Sequence, residues 1–301
     1  MAQPKTITGG VIAAAVTPRR AREHSIDLAS TLELIDFLYE GGVDGIALLG
    51  STGEFVHFEL EDRARMLDFA VKRSRLPILV NVSHSTLDGA LFLGQEAIGS
   101  GVAAVLLMPP YFFRYSQNAV HDFCLRFAEE IAKDVPVYLY NIPVFSNSLE
   151  LETARKLLGT GLFAGIKDSS GDPAYIQGLV GGAFHVFNGD DHLYLSSRRA
   201  GAQGGVSGVS CAIPELLARL DKAIREMDAA RAEKLDSRVQ EFLKCIAPFP
   251  APVAIKEAVR QRKIKTGSLA TPLGADAERD LAAFAEWFKN WLPAVLKECR
   301  G

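Results

Sequence analysis

The chain has 301 residues, a formal net charge of −3 and a pI near 6.1, and 48% of its residues are hydrophobic. This length and composition predict a globular protein with a large core, organised as one barrel-sized domain or two smaller ones. A slightly acidic chain provides no basic field for nucleic acid or acidic lipid, so we expect neither as a partner and expect a small-molecule ligand instead.

The cysteines and the N-terminus bear on the cellular compartment. Cys124, Cys211, Cys245 and Cys299 are widely scattered and have no C-x-x-C or metal-ligand spacing, which is typical of reduced thiols. The first ten residues lack the basic flank, apolar run and cleavage site of a secretion signal, and no apolar stretch approaches membrane-spanning length. The sequence therefore predicts a cytoplasmic protein.

Short segments rich in Val, Ile, Leu and Ala recur along the chain, and amphipathic helical patterns such as residues 28–39 and 60–71 fill most of the gaps. Near-continuous apolar strands that alternate with helices predict a parallel sheet covered by helices, and eight such units favour an α/β fold of the closed (β/α)8 type, a TIM barrel. The eight predicted strands are residues 10–17, 43–50, 77–83, 103–108, 136–141, 163–168, 185–189 and 205–210.

Beyond the eighth strand the pattern changes to helices without strands. The proline-rich segment 247–252 separates two of these helices and is predicted to be a rigid connection. We therefore expect a barrel over residues 1–213 and a C-terminal helical region over residues 214–301, packed together as a single functional unit. The predicted helices of this region are residues 214–227, 229–246, 253–262 and 276–297.

Active sites of such barrels are built at the C-terminal ends of the strands, so the motifs at those ends carry the functional prediction. The first is Gly-Ser-Thr-Gly-Glu at residues 50–54, which follows the second strand and is predicted to begin a helix. Its backbone N–H groups and the hydroxyls of Ser51 and Thr52 can hold a carboxylate. The alternative is a capping box formed by Ser51 and Glu54, which needs no ligand.

Tyr140 ends the fifth predicted strand, and Lys167 lies near the end of the sixth, which is its neighbour in a parallel barrel. A phenol close to an amine can carry protons during formation and breakdown of a carbinolamine. The alternative is that Tyr140 is an amphipathic residue at the rim of the barrel.

Lys167 interrupts the apolar segment 163–168, which otherwise has the pattern of a buried parallel strand. In apolar surroundings the ammonium form of lysine is disfavoured, and the free amine is the nucleophile that attacks a ketone to form a Schiff base. The alternative is a lysine that reaches solvent or pairs with a carboxylate, and this segment alone favours that alternative. Asp168 is a poor candidate partner, because successive strand residues point to opposite faces.

The segment 188–192, Asn-Gly-Asp-Asp-His, ends the seventh predicted strand. Its two carboxylates and histidine can bind a divalent metal, but they can equally cap the next helix or hydrogen-bond a polyol substrate. The glycines of the eighth strand allow the backbone to approach a ligand or the neighbouring lysine closely.

These four elements, at residues 50–54, 140–143, 165–168 and 188–191, together resemble the dihydrodipicolinate synthase / N-acetylneuraminate lyase family of Schiff-base class I aldolases, over nearly the whole chain. Lesser matches are Ser85-Thr86, Pro109-Pro110-Tyr111 and the segment 252–256. The resemblance implies that Lys167 forms an imine with pyruvate or another 2-oxo acid, that Tyr140 relays protons, and that Ser51 and Thr52 hold the carboxylate. It also implies a homotetramer and neither a metal nor an organic cofactor.

Three positions depart from the synthase branch of that family. Synthases carry an arginine for the carboxylate of aspartate semialdehyde where this chain has Phe145. The tyrosine that usually enters the relay from a neighbouring subunit is Phe112, which has no hydroxyl. His84 stands where the synthases usually have asparagine.

The motif at residues 50–54 is closer to the lyase and sugar-acid aldolase branches, and Ser169, Asp191 and Ser207 are candidates to hydrogen-bond a hydroxylated substrate tail, with Asp190 and His192 as alternatives. We therefore predict an aldolase or lyase that acts on a 2-keto-3-deoxy sugar acid or a 4-hydroxy-2-oxo acid. Dihydrodipicolinate synthase is the second hypothesis, and N-acetylneuraminate lyase is the third. A hypothesis from another class is a non-catalytic barrel that senses a 2-oxo acid.

Overall fold

Eight parallel strands form a closed barrel in chain order, and β1 pairs with β8 to complete the circle. This is seen in a computed structural model that describes residues 6–20 and 25–300. The predicted TIM barrel is therefore confirmed. Its strands are β1 (Gly10–Ala14), β2 (Gly45–Leu48), β3 (Ile78–Asn81), β4 (Ala104–Leu107), β5 (Val137–Asn141), β6 (Phe163–Asp168), β7 (His185–Asn188) and β8 (Gly204–Ser207).

Helices cover the outside of the barrel, and the helical extension expected after the last strand is present. Short 3-10 helices, Phe55–His57 and Asp191–Leu193, follow β2 and β7. In the part of the chain that the structure describes, no helix combines the length and apolar character needed to cross a membrane. The helices are α1 (Leu28–Glu40), α2 (Leu60–Arg73), α3 (Leu87–Ser100), α4 (Gln117–Ile131), α5 (Leu151–Gly159), α6 (Pro173–Leu179), α7 (Tyr194–Ala200), α8 (Val209–Ala212), α9 (Pro214–Arg225), α10 (Ala229–Ile246), α11 (Val253–Gln261) and α12 (Ala275–Arg300).

Side-chain caps set the starting points of several outer helices. In each case an oxygen of the residue before the helix accepts a hydrogen bond from a backbone N–H of the first turn, which has no partner within the helix. The capping residues are Asp27 for α1, Thr86 for α3, Ser116 for α4, Asp172 for α6 and Asp228 for α10.

Most of the predicted strands were too long, and the eighth is the clearest case. It was expected to continue to Ser210, but it ends at Ser207 and α8 begins at Val209. The backbone N–H of Ser210 donates to Oγ of Ser207 at 3.0 Å, so a serine side chain starts the helix there. The apolar pattern of the sequence does not mark where the strands end. Loop residues such as Val16 are buried as well, so they continue the pattern beyond the strand.

Three rings pack together inside the barrel, those of Tyr138, His185 and Phe187. Tyr138 is two residues before Tyr140 on β5, so both side chains point to the same face. Its hydroxyl lies 3.0 Å from Nδ1 of His185, and its ring centroid is 5.6 Å from that of Phe187. Burial raises the pKa of Tyr138 to about 12. Gly165, which pairs with Tyr138 on the neighbouring strand, makes room for that ring.

Substitution of Gly165 tests how tightly this layer is packed. A Cβ at Gly165 would overlap the carbonyl oxygen of His185 and lie 2.8 Å from Cε1 of Tyr138. We expect Gly165→Ala to lower the free energy of unfolding by about 1–3 kcal/mol, the usual range for overpacking. The control is Gly99→Ala in α3, where a Cβ meets open space and helix propensity should add about 0.5–1 kcal/mol. Urea denaturation of both variants measures the difference, and effects of the same sign would contradict the crowding.

Candidate active site

The pairing of β5 with β6 brings Tyr140 and Lys167 together inside the barrel. The two residues are direct register partners. Nζ of Lys167 lies 3.9 Å from the centroid of the Tyr140 ring. Tyr140 is fully buried, and Lys167 is only 4% exposed. A lysine that reaches solvent, one of the alternatives left open by the sequence, is therefore ruled out.

Lys167 also has no carboxylate partner among the residues of ranges 6–20 and 25–300. Its neighbour Asp168 accepts hydrogen bonds from Nδ2 of Asn141 and from Oγ of Ser170, each at 2.7 Å. Burial raises the pKa of Asp168, and these two donors oppose that rise. Asp168 therefore joins β6 to β5 on the face opposite the amine, in agreement with strand alternation.

Ser51 extends this pair toward the β2 loop. Its Oγ lies 3.1 Å from the hydroxyl oxygen of Tyr140, and either oxygen can be the donor. The amine thus lies over the phenol ring, and the phenol hydroxyl adjoins a primary hydroxyl, in a row of three side chains. Such a row can pass a proton between a bound molecule and the phenol.

The loop that carries Ser51 is a tight turn over residues 50–54. The prediction that this segment begins a helix is wrong. The 3-10 helix Phe55–His57 follows it, and α2 begins only at Leu60. The capping-box alternative is also wrong, because Oγ of Ser51 faces Tyr140 while the Glu54 carboxylate pairs with Lys256.

Backbone geometry explains why a helix cannot start in this turn. Leu49 and Glu54, at its two ends, have φ values of 57° and 53° in the left-handed region. A Cβ at Gly53 would lie 2.9 Å from the backbone N and Cα of Leu49, so the turn closes on itself and requires glycine there.

Gly189 leaves space beside the amine. A Cβ at this position would overlap Oγ of Ser169 and lie 2.8 Å from Cε of Lys167. Ser169 is therefore close to Lys167, on the side toward the barrel mouth. Its Oγ is buried and has no hydrogen-bond partner within the described ranges, which leaves one hydroxyl free to bind a ligand.

Asp191 and Thr52 both border Gly208 on the other side of the mouth. A Cβ at Gly208 would lie 3.6 Å from Oδ2 of Asp191, 3.6 Å from Oγ1 of Thr52 and 3.1 Å from Cδ1 of Ile255. Oδ2 of Asp191 accepts from the backbone N–H of Val209 at 2.9 Å. Oδ1 is buried and, like Ser169 Oγ, has no partner among the described residues. Burial raises the pKa of Asp191, against hydrogen bonds from Ser207 and Val209.

The other polar candidates already have hydrogen-bond partners within the protein, and for Ser207 one of these is Asp191 itself. Ser207 is buried, and its Oγ accepts from Ser210. Asp190 accepts from the backbone N–H of His192, whose Nδ1 lies 3.0 Å from Oε1 of Gln240. Asp190 and His192 thus bond to groups other than Asp191, and the alternative of a metal bound by residues 190–192 is not assembled. Across the described ranges, no group of three or more His, Cys, Asp or Glu side chains is arranged to hold a metal ion.

Phe112 and Phe145 lie on the protein surface. They are 87% and 57% exposed, and Phe112 stacks edge-on against Phe113 with 5.0 Å between ring centroids. Arg114 reaches the same loop, but its guanidinium donates to the carbonyl oxygen of Ser146 at 3.3 Å. The phenyl ring of Phe145 therefore offers no charge to an anionic ligand.

Two residues near the site, Ile255 and Lys256, were not among the sequence candidates. Both belong to α11 in the helical extension and are buried. The available signal was a lysine inside the apolar start of α11, the same kind of interruption that identified Lys167.

Comparisons with known proteins identify the family of this chain. The model of the dihydrodipicolinate synthetase family matches residues 7–290. The 4-hydroxy-tetrahydrodipicolinate synthase of Bacillus velezensis is 28% identical over 271 residues, which cover 88% of this chain and 93% of that protein. The 2-dehydro-3-deoxy-D-gluconate/2-dehydro-3-deoxy-phosphogluconate aldolase of Picrophilus torridus is 32% identical over 268 residues, or 86% of this chain and 97% of that protein.

Among solved structures, dihydrodipicolinate synthase from Aquifex aeolicus superposes with a TM-score of 0.87 at 26% identity, covering 94% of this chain and 98% of the other. The family expected from the four sequence elements is thus confirmed by the match along almost the whole chain. The protein belongs to the dihydrodipicolinate synthetase family.

Proposed function

We propose that this protein is a class I aldolase in which Lys167 forms a Schiff base with a 2-oxo acid and a C–C bond is made or cleaved beside it. Membership of the family makes the chain an enzyme of the lyase type. The observation that carries the proposal is the amine of Lys167, buried in the lumen against Tyr140 without a carboxylate partner among the described residues. A lysine kept only for structure would be expected to have such a partner.

In the proposed cleavage, the Lys167 amine adds to the keto carbon, and loss of water from the carbinolamine gives an iminium ion. Tyr140 gives its phenolic proton to the departing hydroxyl of the carbinolamine, and the phenolate formed in that step removes the proton of the C4 hydroxyl. The electrons of the breaking C3–C4 bond then move into the iminium to form an enamine. The aldehyde leaves, C3 is protonated, and water releases pyruvate from Lys167. Ser51 supports proton transfer because it adjoins the phenol at 3.1 Å.

The carboxylate of the 2-oxo acid is assigned to the turn over residues 50–54. The hydroxyls of Ser51 and Thr52 supply donors there, together with backbone N–H groups. The turn adjoins Tyr140 through Ser51, so a carboxylate at the turn and a keto carbon at Lys167 belong to one small molecule.

For the rest of the substrate we propose a hydroxylated tail. Two buried oxygens near the mouth, Ser169 Oγ and Asp191 Oδ1, have no partner within the described ranges, and such groups are costly unless a ligand satisfies them. A 2-keto-3-deoxy sugar acid or a 4-hydroxy-2-oxo acid carries hydroxyls that can donate to Asp191. Similarity to the Picrophilus torridus aldolase supports this choice.

The second candidate is 4-hydroxy-tetrahydrodipicolinate synthase, which the likeness to the Bacillus velezensis enzyme favours. Phe145 counts against it, because a synthase needs a cation for the second carboxylate of its aldehyde.

We also propose a homo-oligomer, a tetramer by family resemblance, because Phe112, Phe113 and Phe145 expose aromatic area that a second copy could cover. A cytoplasmic location is supported by the four free cysteines.

Trapping with borohydride tests the Schiff base. In the presence of pyruvate, the intact mass should rise by one reduced pyruvyl adduct that peptide mapping assigns to Lys167. Lys167→Ala should abolish the adduct while retaining the fold. An unlabelled protein, or a label on another lysine, would refute the Schiff-base mechanism, and reversible binding without an adduct would favour the sensor.

Tyr140→Phe should lower kcat by roughly 10²-fold or more, the usual scale for loss of a positioned proton-transfer group. Pyruvate binding should persist, because the amine and the turn remain. Steady-state kinetics beside adduct formation measure the two effects separately. Full kcat in this variant would assign the proton transfer to another group.

A panel of substrates tests the tail. Release of pyruvate, coupled to lactate dehydrogenase, should be found with 2-keto-3-deoxygluconate, a related deoxy-aldonate or 4-hydroxy-2-oxoglutarate, with N-acetylneuraminate as a further comparison. Condensation of pyruvate with aspartate semialdehyde should be poor. A charge-assisted hydrogen bond contributes about 1.5–3 kcal/mol, so Phe145→Arg should raise kcat/KM for that aldehyde by one to two decades.

The prediction would be contradicted if the unmodified protein turned over aspartate semialdehyde efficiently and released no pyruvate from any sugar acid of the panel. The function would then be that of the synthase. Asp191→Asn serves as the matched variant for the tail. It should reduce kcat/KM for hydroxylated substrates while leaving adduct formation with pyruvate unchanged.

A further inference from the structure

Helix α11 reaches the active site from the helical extension. Its residue Lys256 is fully buried and forms an ion pair with Glu54, the last residue of the turn over residues 50–54. The two residues are 202 positions apart in the chain. The proposed reaction makes no use of this ammonium group, so the ion pair needs another explanation.

The turn is held in a conformation that it would not keep by itself. Leu49 and Glu54 are both in the left-handed region, which residues with a Cβ rarely adopt and which persists only where surrounding contacts impose it. Glu54 is also the N-cap residue of the 3-10 helix Phe55–His57, where its side chain makes no capping hydrogen bond.

Three side chains from different elements hold this turn. Nδ2 of Asn81 donates to the carbonyl oxygen of Leu49 at 2.8 Å, and Oγ1 of Thr17 donates to that of Gly53 at 2.7 Å. These two come from the barrel itself. The third is Lys256, which holds the carboxylate of Glu54 from outside the barrel.

A buried ion pair is a poor way to gain stability, because desolvation offsets most of the attraction and an apolar pair of similar volume often serves as well. Here burial lowers the pKa of Lys256, and Arg19 and Arg260 lower it further, against the effect of Glu54. The pair is therefore better explained by the direction it imposes on the Glu54 side chain than by the stability it adds.

Ile255, the residue before Lys256, brings α11 close to the turn over residues 50–54 at a second point. Cδ1 of Ile255 lies 3.1 Å from the Cβ position of Gly208, and Oγ1 of Thr52 lies 3.6 Å from that position. Successive residues of α11 thus border the Thr52 side of the turn and the Glu54 end of it.

We propose that Lys256 is a positioning residue of the active site, which holds Glu54 and thereby keeps the hydroxyls of Ser51 and Thr52 aimed at the carboxylate of the 2-oxo acid. The part played by Ser51 and Thr52 rests on the function proposed above. The tether between α11 and the turn does not, so the two can be tested separately.

Lys256→Met removes the tether. We expect the pyruvate concentration for half-maximal borohydride trapping to rise at least tenfold. The trapping rate at saturating pyruvate should fall by a smaller factor, because Lys167 and Tyr140 are untouched and only the Ser51 contact with the phenol is loosened. Without any ligand, amide hydrogen exchange over residues 49–58 should become at least tenfold faster, with exchange in β5 and β6 unchanged.

Two further variants separate positioning from stability. Val259→Ala is the matched control, since Val259 is a fully buried residue of the same helix that is not part of the ion pair. It should lower Tm without changing the half-maximal pyruvate concentration. The double variant Glu54→Gln/Lys256→Met leaves no buried charge unpaired, so it should regain Tm but not pyruvate affinity.

Recovery of wild-type pyruvate affinity together with Tm in the double variant would overturn the proposal, since Lys256 would then act through stability alone. An equal loss of pyruvate affinity in Val259→Ala would do the same. If the unmodified protein forms no adduct, the proposed function fails, and hydrogen exchange decides about the tether. Faster exchange over residues 49–58 in the double variant supports it, and unchanged exchange there refutes it.

Discussion

The register between β5 and β6 is the constraint on which the site depends. It places Tyr140 opposite Lys167 on the inner face and Asn141 opposite Asp168 on the outer face. A slip of one residue would send each side chain to the other face, so the amine would leave the lumen and the carboxylate would enter it. The hydrogen bond from Asn141 to Asp168 therefore secures the strand pairing that also brings the phenol to the amine.

Glycines and left-handed backbone residues shape the rest of the site. Gly165 and Gly189 lack the side chains that would crowd Tyr138 and Lys167, and Gly53 lets the β2 turn close on itself. The left-handed residues Leu49 and Glu54, together with the unpartnered oxygens near the mouth, are features that a sequence optimised only for stability would avoid. Their concentration at the C-terminal end of the barrel is what a fold adapted to bind a ligand would show.

The features of the fold that can be predicted from the sequence are those that short segments of the chain encode. Apolar strands repeat with helices between them, and a single lysine breaks one of those strands, so the barrel and Lys167 were both predictable. The ends of strands were not, because buried loop residues such as Val16 continue the apolar pattern and Ser207 starts a helix by a hydrogen bond that leaves no periodicity. The pairing of Lys256 with Glu54 spans 202 residues, and no local pattern encodes a contact of that kind.

The ring layer formed by Tyr138, His185 and Phe187 limits where a ligand can enter or leave the barrel. Tyr138 and His185 lie toward the N-terminal ends of their strands, with Phe187 packed against both, whereas Ser169 and Asp191 lie beyond the strand ends at the opposite side. In the proposed reaction, a molecule joined to Lys167 then leaves on the side of Ser169 and Asp191, and a substrate tail near Asp191 stands in that path. In an aldolase built this way, the aldehyde departs first and pyruvate second, and the reverse reaction must load pyruvate before its partner. The covalent bond to Lys167 sets this order, because the amine holds pyruvate until the aldehyde has left, and the ring layer directs both departures to the same side of the barrel.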